Sequence, residues 1–578
     1  MTVRVGLQPP RPALRAAPAG RDWAVLVACL AGACGAAEAP PAIGSAPAGP
    51  PWFRESAAER GVDFRHVSGA RADRHRFPEI MGGGVALLDA DGDGDLDLYL
   101  VQSGEPGAPA ASNPGNALYA NDGGARFRDV SAASGADERG YGMGVATGDA
   151  DGDGRTDLYV TNVGPNALLA NRGELRFSDV TAAAGVGAPA WSTSAAFLDH
   201  DADGDLDLFV CNYVDWAPER ELACTTPAGR PDYCSPNSYA APLADTLYRN
   251  EGGGRFSDVS AAAGLLGRRA NGLGVVAGDL DADGRIDVFV ANDQMPNHLW
   301  RNLGDGRFAE VAARTGCAVD RDGVAKAGMG VVAEDLDGDD DLDLLVVNLR
   351  AQADSFYRNQ GAYFEDDTAA LGLASATRPF TRFGLGCADL DADGWLDLYV
   401  ANGRVTLPAE VEARSTDPYA EPNQLLAGGP GGRFALVAPE GGVAGPLVHT
   451  SRGAAFGDLD GDGGVDVVVV NRDAPAYVLR NVVARRGHWI RFRVLDARGA
   501  DALGAELRIE LAGRTLRRDV RSAHGYCSAS DPRVHVGLGE ASGVARVRVR
   551  WPDGRERSFG PFEADRDVVL APEEGGAR

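Results

Sequence analysis

Carboxylates spaced two residues apart on a tight turn are suited to binding a hard cation. Residues 89–100 read DADGDGDLDLYL, with Asp89, Asp91, Asp93 and Asp97 at positions 1, 3, 5 and 9 and Gly94 at position 6, where such a loop must turn through positive φ. Four carboxylates this close repel by several kcal/mol unless a cation compensates them. An acidic linker would have no reason to keep the spacing. The frame recurs at Asp149, Asp151, Asp153 and Asp157; at Asp199, Asp201, Asp203 and Asp207; at Asp279, Asp281, Asp283 and Asp287; at Asp335, Asp337, Asp339 and Asp343; at Asp389, Asp391, Asp393 and Asp397; and at Asp458, Asp460, Asp462 and Asp466. Recurrence makes the reading specific: up to seven calcium ions, one per loop. Glycine holds position 6 in six loops, whereas the fifth has Asp340, so the fifth is the least secure site. The loops lack the distal glutamate and flanking helices of an EF-hand.

The elements that must carry these loops are strands. Each loop runs into an apolar β-branched or aromatic segment (LDLYLV, TDLYVT, LDLFVC, IDVFVA, LDLLVV, LDLYVA, VDVVVV), and each is preceded by a segment of the GMGVATGD type. Five residues before the first aspartate stands a small residue: Gly84, Gly144, Ser194, Gly274, Gly330, Gly384 or Gly453. Five residues after the last stands an amide, Gln102, Asn162, Asn212, Asn292, Asn348, Asn402 or Asn471, read most simply as bracing a turn. Stretches such as NALYANDGGARFRDVSAASG (116–135) add two more strands per unit. Four-stranded units repeated seven times predict an all-β fold, a seven-bladed β-propeller spanning 52–481. The seventh unit lacks its outer strand, and WFRESAAERG (52–61) has the missing pattern, so the N-terminal strand is expected to close the last blade.

The repeats resemble FG-GAP/VCBS-type calcium-binding propeller repeats. Residues 487–556, with the landmarks SAHGY, SASDP, HVGLG and VRWPDG, are similar to the ASPIC/UnbV domain. Together they resemble the cartilage acidic protein family and its bacterial relatives, which implies a small C-terminal β-sandwich-like domain over 482–572 and a short tail, 573–578. Cys527 stands where that pattern leads one to expect a polar residue.

Composition agrees with two domains of opposite charge. The chain has 578 residues and a formal charge of −27, too long for one ordinary core. From residue 482 onward, however, 18 arginines face 14 acids. The acidic total argues against nucleic acid as a partner. Residues 1–34, with Arg4, Arg11, Arg15 and Arg21 before a short apolar run, read as a signal or lipoprotein leader. Lipidation at Cys29 or Cys34 would give membrane attachment. An Ala/Pro/Gly-rich linker, 35–51, follows. An exported protein is thus expected: periplasmic, outer-membrane lipoprotein or extracellular. Cys224 and Cys234, flanking a long insertion, are expected to form a disulfide.

With the metal loops at one end of the blades, three insertions (103–115, 213–244 and 403–422) should project from the other. A mouth there would be lined by Glu79, Tyr141, Trp191, Asn271, Lys326, Arg382 and His449, whose variety suggests ligand recognition. The reading is a scaffold binding a protein or glycan partner, with calcium structural. The alternative is an enzyme, or by resemblance an enediyne-type biosynthesis protein, with a small-molecule pocket at that mouth. His449 with Glu79, or His524 near Cys527, would be its acid/base or Cys/His pair. The sequence holds no nucleophile elbow, HExxH helix or phosphate loop.

Overall fold

The computed structural model describes residues 49–572 except 72, 409–415, 484–486 and 512. The leader, most of the linker, Cys29, Cys34 and residues 573–578 lie outside the described residues. Seven antiparallel units follow one another. The first contains Val85–Leu88, Asp97–Leu100, Ala117–Asn121 and Phe127–Asp129 in that order. In the second, Gly142–Gly148 pairs with Asp157–Pro165, which runs on past the blade edge so that Val163–Pro165 also pairs with Pro189–Trp191 of the third. Alternation is weak because both faces of each sheet pack against neighbouring blades. Strands such as Asp207–Asn212 and Asp466–Asn471 are buried throughout.

The ring closes through a strand from the other end of the chain. Phe53, Arg54 and Glu55 pair antiparallel with Asn481, Arg480 and Leu479 as the outer strand of blade seven. This covers an edge that would otherwise offer unpaired N–H and C=O groups.

The C-terminal domain is a two-sheet sandwich. His488–Val494 pairs with Val534–Gly539 and, in parallel, with Arg566–Leu570. The second sheet orders Arg514–Asp519, Glu506–Leu511, Arg546–Arg550 and Glu556–Phe559. Ile490, Phe492, Leu507, Ile509, Val547 and Trp551 fill its interior.

Candidate cation loops and the two sealed ends of the ring

Each aspartate-rich loop joins the innermost strand of a blade to the second. The first-position carboxylate caps the loop from inside: Asp89, Asp149, Asp199, Asp279, Asp389 and Asp458 each accept the position-6 amide through Oδ2, at 2.7–3.2 Å. The glycines there have positive φ, from +80° to +95°. In the fifth loop Asp340 holds the same turn at φ +81°, and its carboxylate pairs with Arg508 of the C-terminal domain.

Position 9 does two jobs. Asp97, Asp157, Asp207, Asp343, Asp397 and Asp466 each take the position-2 amide on one oxygen. The other oxygen takes an amide at the end of the third strand, as in Asp157 Oδ1 accepting from the Asn171 N–H at 2.7 Å. Burial is the main reason that Asp97, Asp157, Asp287, Asp343, Asp397 and Asp466 resist ionising. It pushes Asp97 and Asp157 up to about 7 and Asp287 and Asp343 to about 8, with neighbouring loop aspartates adding to the rise. Asp389, at position 1, is pushed to about 7 for the same reasons.

The donor set fits a hard divalent cation. In loops two, four and seven the third-position aspartate offers Oδ2 to an arginine (Asp151 to Arg172 at 3.1 Å, Asp281 to Arg301 at 2.5 Å, Asp460 to Arg480). Its Oδ1 is buried with no hydrogen-bond partner. Carboxylate oxygens of Asp89, Asp91 and Asp93, and likewise of Asp149, Asp151 and Asp157, lie within 4.8 Å of one another. Buried acceptors without donors are costly, and clustered ones fit an all-oxygen cation site. In loop three His200 Nδ1 competes for Asp207 Oδ2.

A second asparagine set, which sequence reasoning passed over, stitches the loops together. Asn121, Asn171, Asn250, Asn302, Asn359 and Asn481 donate through Nδ2 to the position-2 carbonyl of a loop on a neighbouring blade: Leu459, Ala90, Ala150, His200, Leu280 and Leu390, at 2.7–3.0 Å. The signal was present as an Asn closing the third strand in six units. The first amide set braces turns: Asn162, Asn292, Asn402 and Asn471 donate to Pro165, Pro296, Pro422 and Pro475 carbonyls at 2.7–2.8 Å.

The loop end is covered by the C-terminal domain, whose basic charge meets the acidic loops. Arg491 bonds Asp458 at 3.1 Å, Arg498 bonds Asp205 at 2.5 Å and Arg550 bonds Asp279 at 2.8 Å. Arg533 donates to the Gly94 carbonyl and His535 faces that of Gly463, at 3.0 and 2.9 Å. From this domain residues 521–531 enter the centre of the ring. Cys527 N–H donates to Ser194 Oγ, and Ala529 N–H to the Val85 carbonyl, both at 2.9 Å.

The opposite end carries a correction. Of the residues expected at an open mouth, Glu79, Tyr141, Trp191, Asn271 and Arg382 are buried, while Lys326 and His449 are half-buried, and the three insertions build a cap over this end. Arg230 donates to the Pro408 carbonyl at 2.6 Å, Asp232 accepts from the Leu407 amide and the Tyr419 hydroxyl at 2.8 Å, and Gly107 abuts Pro218. Tyr141 and Trp191 join Phe77, Tyr213, Trp216, Tyr233 and Tyr419 in one aromatic cluster. Glu79 is wholly buried, accepting from Arg76 N–H at 3.1 Å and, at 3.3 Å each, from Arg74 and Tyr233. Burial pushes it up to about 7. Arg382 pairs with Asp354 at 2.6 Å, both buried. Asn271 bonds the Asp293 carbonyl, Lys326 bonds Ser355, and His449 stacks on Tyr477. Trp191 and Glu79 thus meet the 213–244 insertion, whereas the side-chain partners of Asn271, Lys326, Arg382 and His449 lie outside the insertions.

The pairs considered for catalysis are not assembled. His449 and Glu79 have the separate partners just given. Burial raises the Cys527 thiol to about 12 and lowers His524 to about 4, so neither is primed for nucleophilic work. Cys224 and Cys234 are disulfide-bonded across the insertion hairpin, Cα atoms 5.3 Å apart.

Comparison with known proteins agrees with this architecture. The FG-GAP-like repeat model matches residues 89–160, 149–210, 229–290, 279–346 and 335–400, and the ASPIC and UnbV model matches 496–577. Cartilage acidic protein 1 of Xenopus tropicalis is 28% identical over 331 residues, 54% of this chain and 47% of that protein; the Homo sapiens protein is 26% identical over 324, 54% and 45%. The chain thus spans about half the length of the curated relatives it matches. Among solved structures, YCF48 bound to D1 peptide covers 71% of this chain and 96% of its own at 10% identity (TM-score 0.38). An Agrocybe aegerita lectin recognising non-reducing terminal N-acetylglucosamine covers 68% and 86% at 15% identity (TM-score 0.35). Those two likenesses add nothing about function. The repeats and the tail together settle the assignment: the chain belongs to the FG-GAP-like repeat family and carries a C-terminal ASPIC and UnbV domain, the architecture it shares with cartilage acidic protein 1.

Proposed function

We propose that this protein is an exported interaction scaffold whose loops hold calcium as a structural ion, and whose insertion cap presents the surface for a protein or glycan partner. The observation that carries the calcium reading is the buried, donor-less Oδ1 of Asp151, Asp281 and Asp460, each inside a loop whose position-9 carboxylate, Asp157, Asp287 or Asp466, resists ionising because it is buried. The same-frame aspartates of the other loops would hold the ion likewise. Calcium would supply charge compensation and crosslinking there, and a ligand that binds only the folded state stabilises it by mass action.

The cap supports the partner reading because three insertions on a rigid ring converge in one place. It leaves Leu222 and Val448 39% and 42% exposed. The disulfide in the same cap suits an oxidising compartment and so supports export. Calorimetric titration of chelator-stripped protein tests the metal. Calcium uptake abolished progressively by Asp→Asn changes at position 3 is expected, and no uptake overturns the reading. For the partner, a protein or glycan found to bind should lose affinity with Leu222→Glu; binding that depends instead on the C-terminal domain's outer strands would move the site.

A further inference from the structure

Where blades five to seven meet the C-terminal sandwich the structure leaves a cavity of about 100 Å³, well above the roughly 10–15 Å³ that one water needs. Part of its wall is apolar, formed by Leu396, Phe456 and Val465 of the ring with Val534 of the sandwich. The rest is charged. Four arginines and four carboxylates line it, and three of the arginines account for all the carboxylates: Arg491 pairs with Asp458 at 3.1 Å, Arg521 with Asp519 at 2.8 Å and with Glu334 at 3.3 Å, and Arg533 with Asp531 at 2.9 Å.

Arg518 is the fourth. It is only 9% exposed, and among the described residues no carboxylate pairs with it. Asp335 and Asp389 feel its charge through space, without an ion pair. Its Nη1 donates to the Arg517 carbonyl at 2.7 Å, but its Nε is buried with no acceptor. Arg521 Nε and His524 Nδ1, on the same cavity, are buried without partners too, and Glu334 Oε2 lacks a donor. Polar atoms stranded in this way are costly, and they share one space large enough for the group that would satisfy them.

Water could fill that space but would bring no counter-charge to an unpaired guanidinium. A carboxylate does, in the geometry that guanidinium N–H groups favour. The apolar wall suits a short carbon skeleton, and Glu334 Oε2 suits a donor beside the carboxylate. We infer that this cavity binds a small organic acid bearing a hydroxyl or amine next to its carboxylate, with Arg518 as the anchor. The site is separate from the insertion cap at the other end of the ring, and its orphaned donors are present however the metal loops are filled.

The test is calorimetric titration of the calcium-saturated full chain, in chloride- and phosphate-free buffer, with L-lactate, L-alanine and propionate, which share a three-carbon skeleton, and with inorganic phosphate and chloride. Saturable uptake of one lactate or one alanine per chain, tighter than propionate, is expected; which of the two binds tells a hydroxyl donor from an amine. Arg518→Met should weaken that uptake about tenfold or more, as loss of a charged hydrogen bond does. Ala388→Phe, which fills the cavity and leaves every arginine in place, should abolish it. Uptake of phosphate or chloride alone, propionate bound as tightly as lactate and alanine, or no saturable uptake overturns the inference, and so does unchanged affinity in Arg518→Met. Should Arg518→Met fail to fold, the propionate comparison and Ala388→Phe decide the matter.

Discussion

Glu79 offers a quantitative check on how tightly the insertion cap closes the ring. Its carboxyl rises from 4.5 to about 7 because burial disfavours the charged form more than Arg74, the Arg76 amide and Tyr233 favour it. A group raised in the fold contributes stability fully present below its unfolded value and lost as pH climbs through the folded one. For Glu79 that window is from about 4.5 to 7. At about 1.4 kcal/mol per tenfold change in protonation, ionising it costs about 3 kcal/mol by pH 8.5. Glu79→Gln removes that cost, keeps one acceptor for the Arg76 amide and gives up the partly exposed contact to Arg74, worth under about 1 kcal/mol. The variant should match or fall slightly below the parent at pH 5 and exceed it at pH 8.5. Over roughly 520 residues unfolding as one unit, about 3 kcal/mol corresponds to a change of about 3 °C in relative melting temperature between the two pH values. The assay is scanning calorimetry in saturating calcium, where contributions of His75 and the loop aspartates are common to both proteins. Parallel pH profiles would refute the reasoning and imply that water reaches Glu79.

Chelation should destabilise more at pH 8 than at pH 5. Without metal, carboxylates raised to about 7 or 8, such as Asp157 and Asp343, stay protonated at low pH and must ionise in the fold as pH rises; a calcium-dependent melting shift constant between pH 5 and 8 would contradict this. Arg382→Met alone should cost about 3 to 5 kcal/mol by stranding Asp354 in the interior. Combination with Asp354→Asn should recover much of that loss in a urea melt. Changing Cys224 and Cys234 together to Ser should lower cap stability by up to about 3 kcal/mol, since the loop they close is short. Earlier limited proteolysis within 213–244, with blade fragments still resistant, is the expected readout.

What the sequence disclosed depended on whether a feature repeats locally. Loop spacing, the glycine turn and the strands beside them are set by residues within ten positions of one another, so Asp89 to Leu100 announced loop and strand together. The partner of the seventh blade was legible because FRE at 53–55 copies the FRD and FSD of the other outer strands. The small residues at 84, 144, 194, 274, 330, 384 and 453 were visible as a pattern without a cause. At five of the six glycines an added Cβ would first meet the neighbouring blade's backbone, such as the Thr193 oxygen at Gly144 and the Arg452 oxygen at Gly384, and only at Gly84 is the nearest atom the sequence-distant Cys527 oxygen. Tyr141, Trp191 and Glu79 misled for a related reason. Tyr141 and Trp191 join one aromatic cluster beneath the cap, Glu79 bonds Tyr233 of that cluster, and such non-repeating packing looks like recognition when the segments that cover it are unseen. Asn171 and its five counterparts were overlooked because an Asn at a strand end already has a turn to explain it, whereas Nδ2 of Asn171 reaches the preceding blade's loop.

The central claim is that the carboxylate clusters coexist because each encloses a divalent ion. Equilibrium dialysis of the full chain against calcium, counting ions per chain, tests it most directly. The account predicts a stoichiometry approaching one calcium per loop, falling by one with each position-3 Asp→Asn change. A ratio indistinguishable from zero at millimolar calcium, in protein that melts identically with and without chelator, would contradict it.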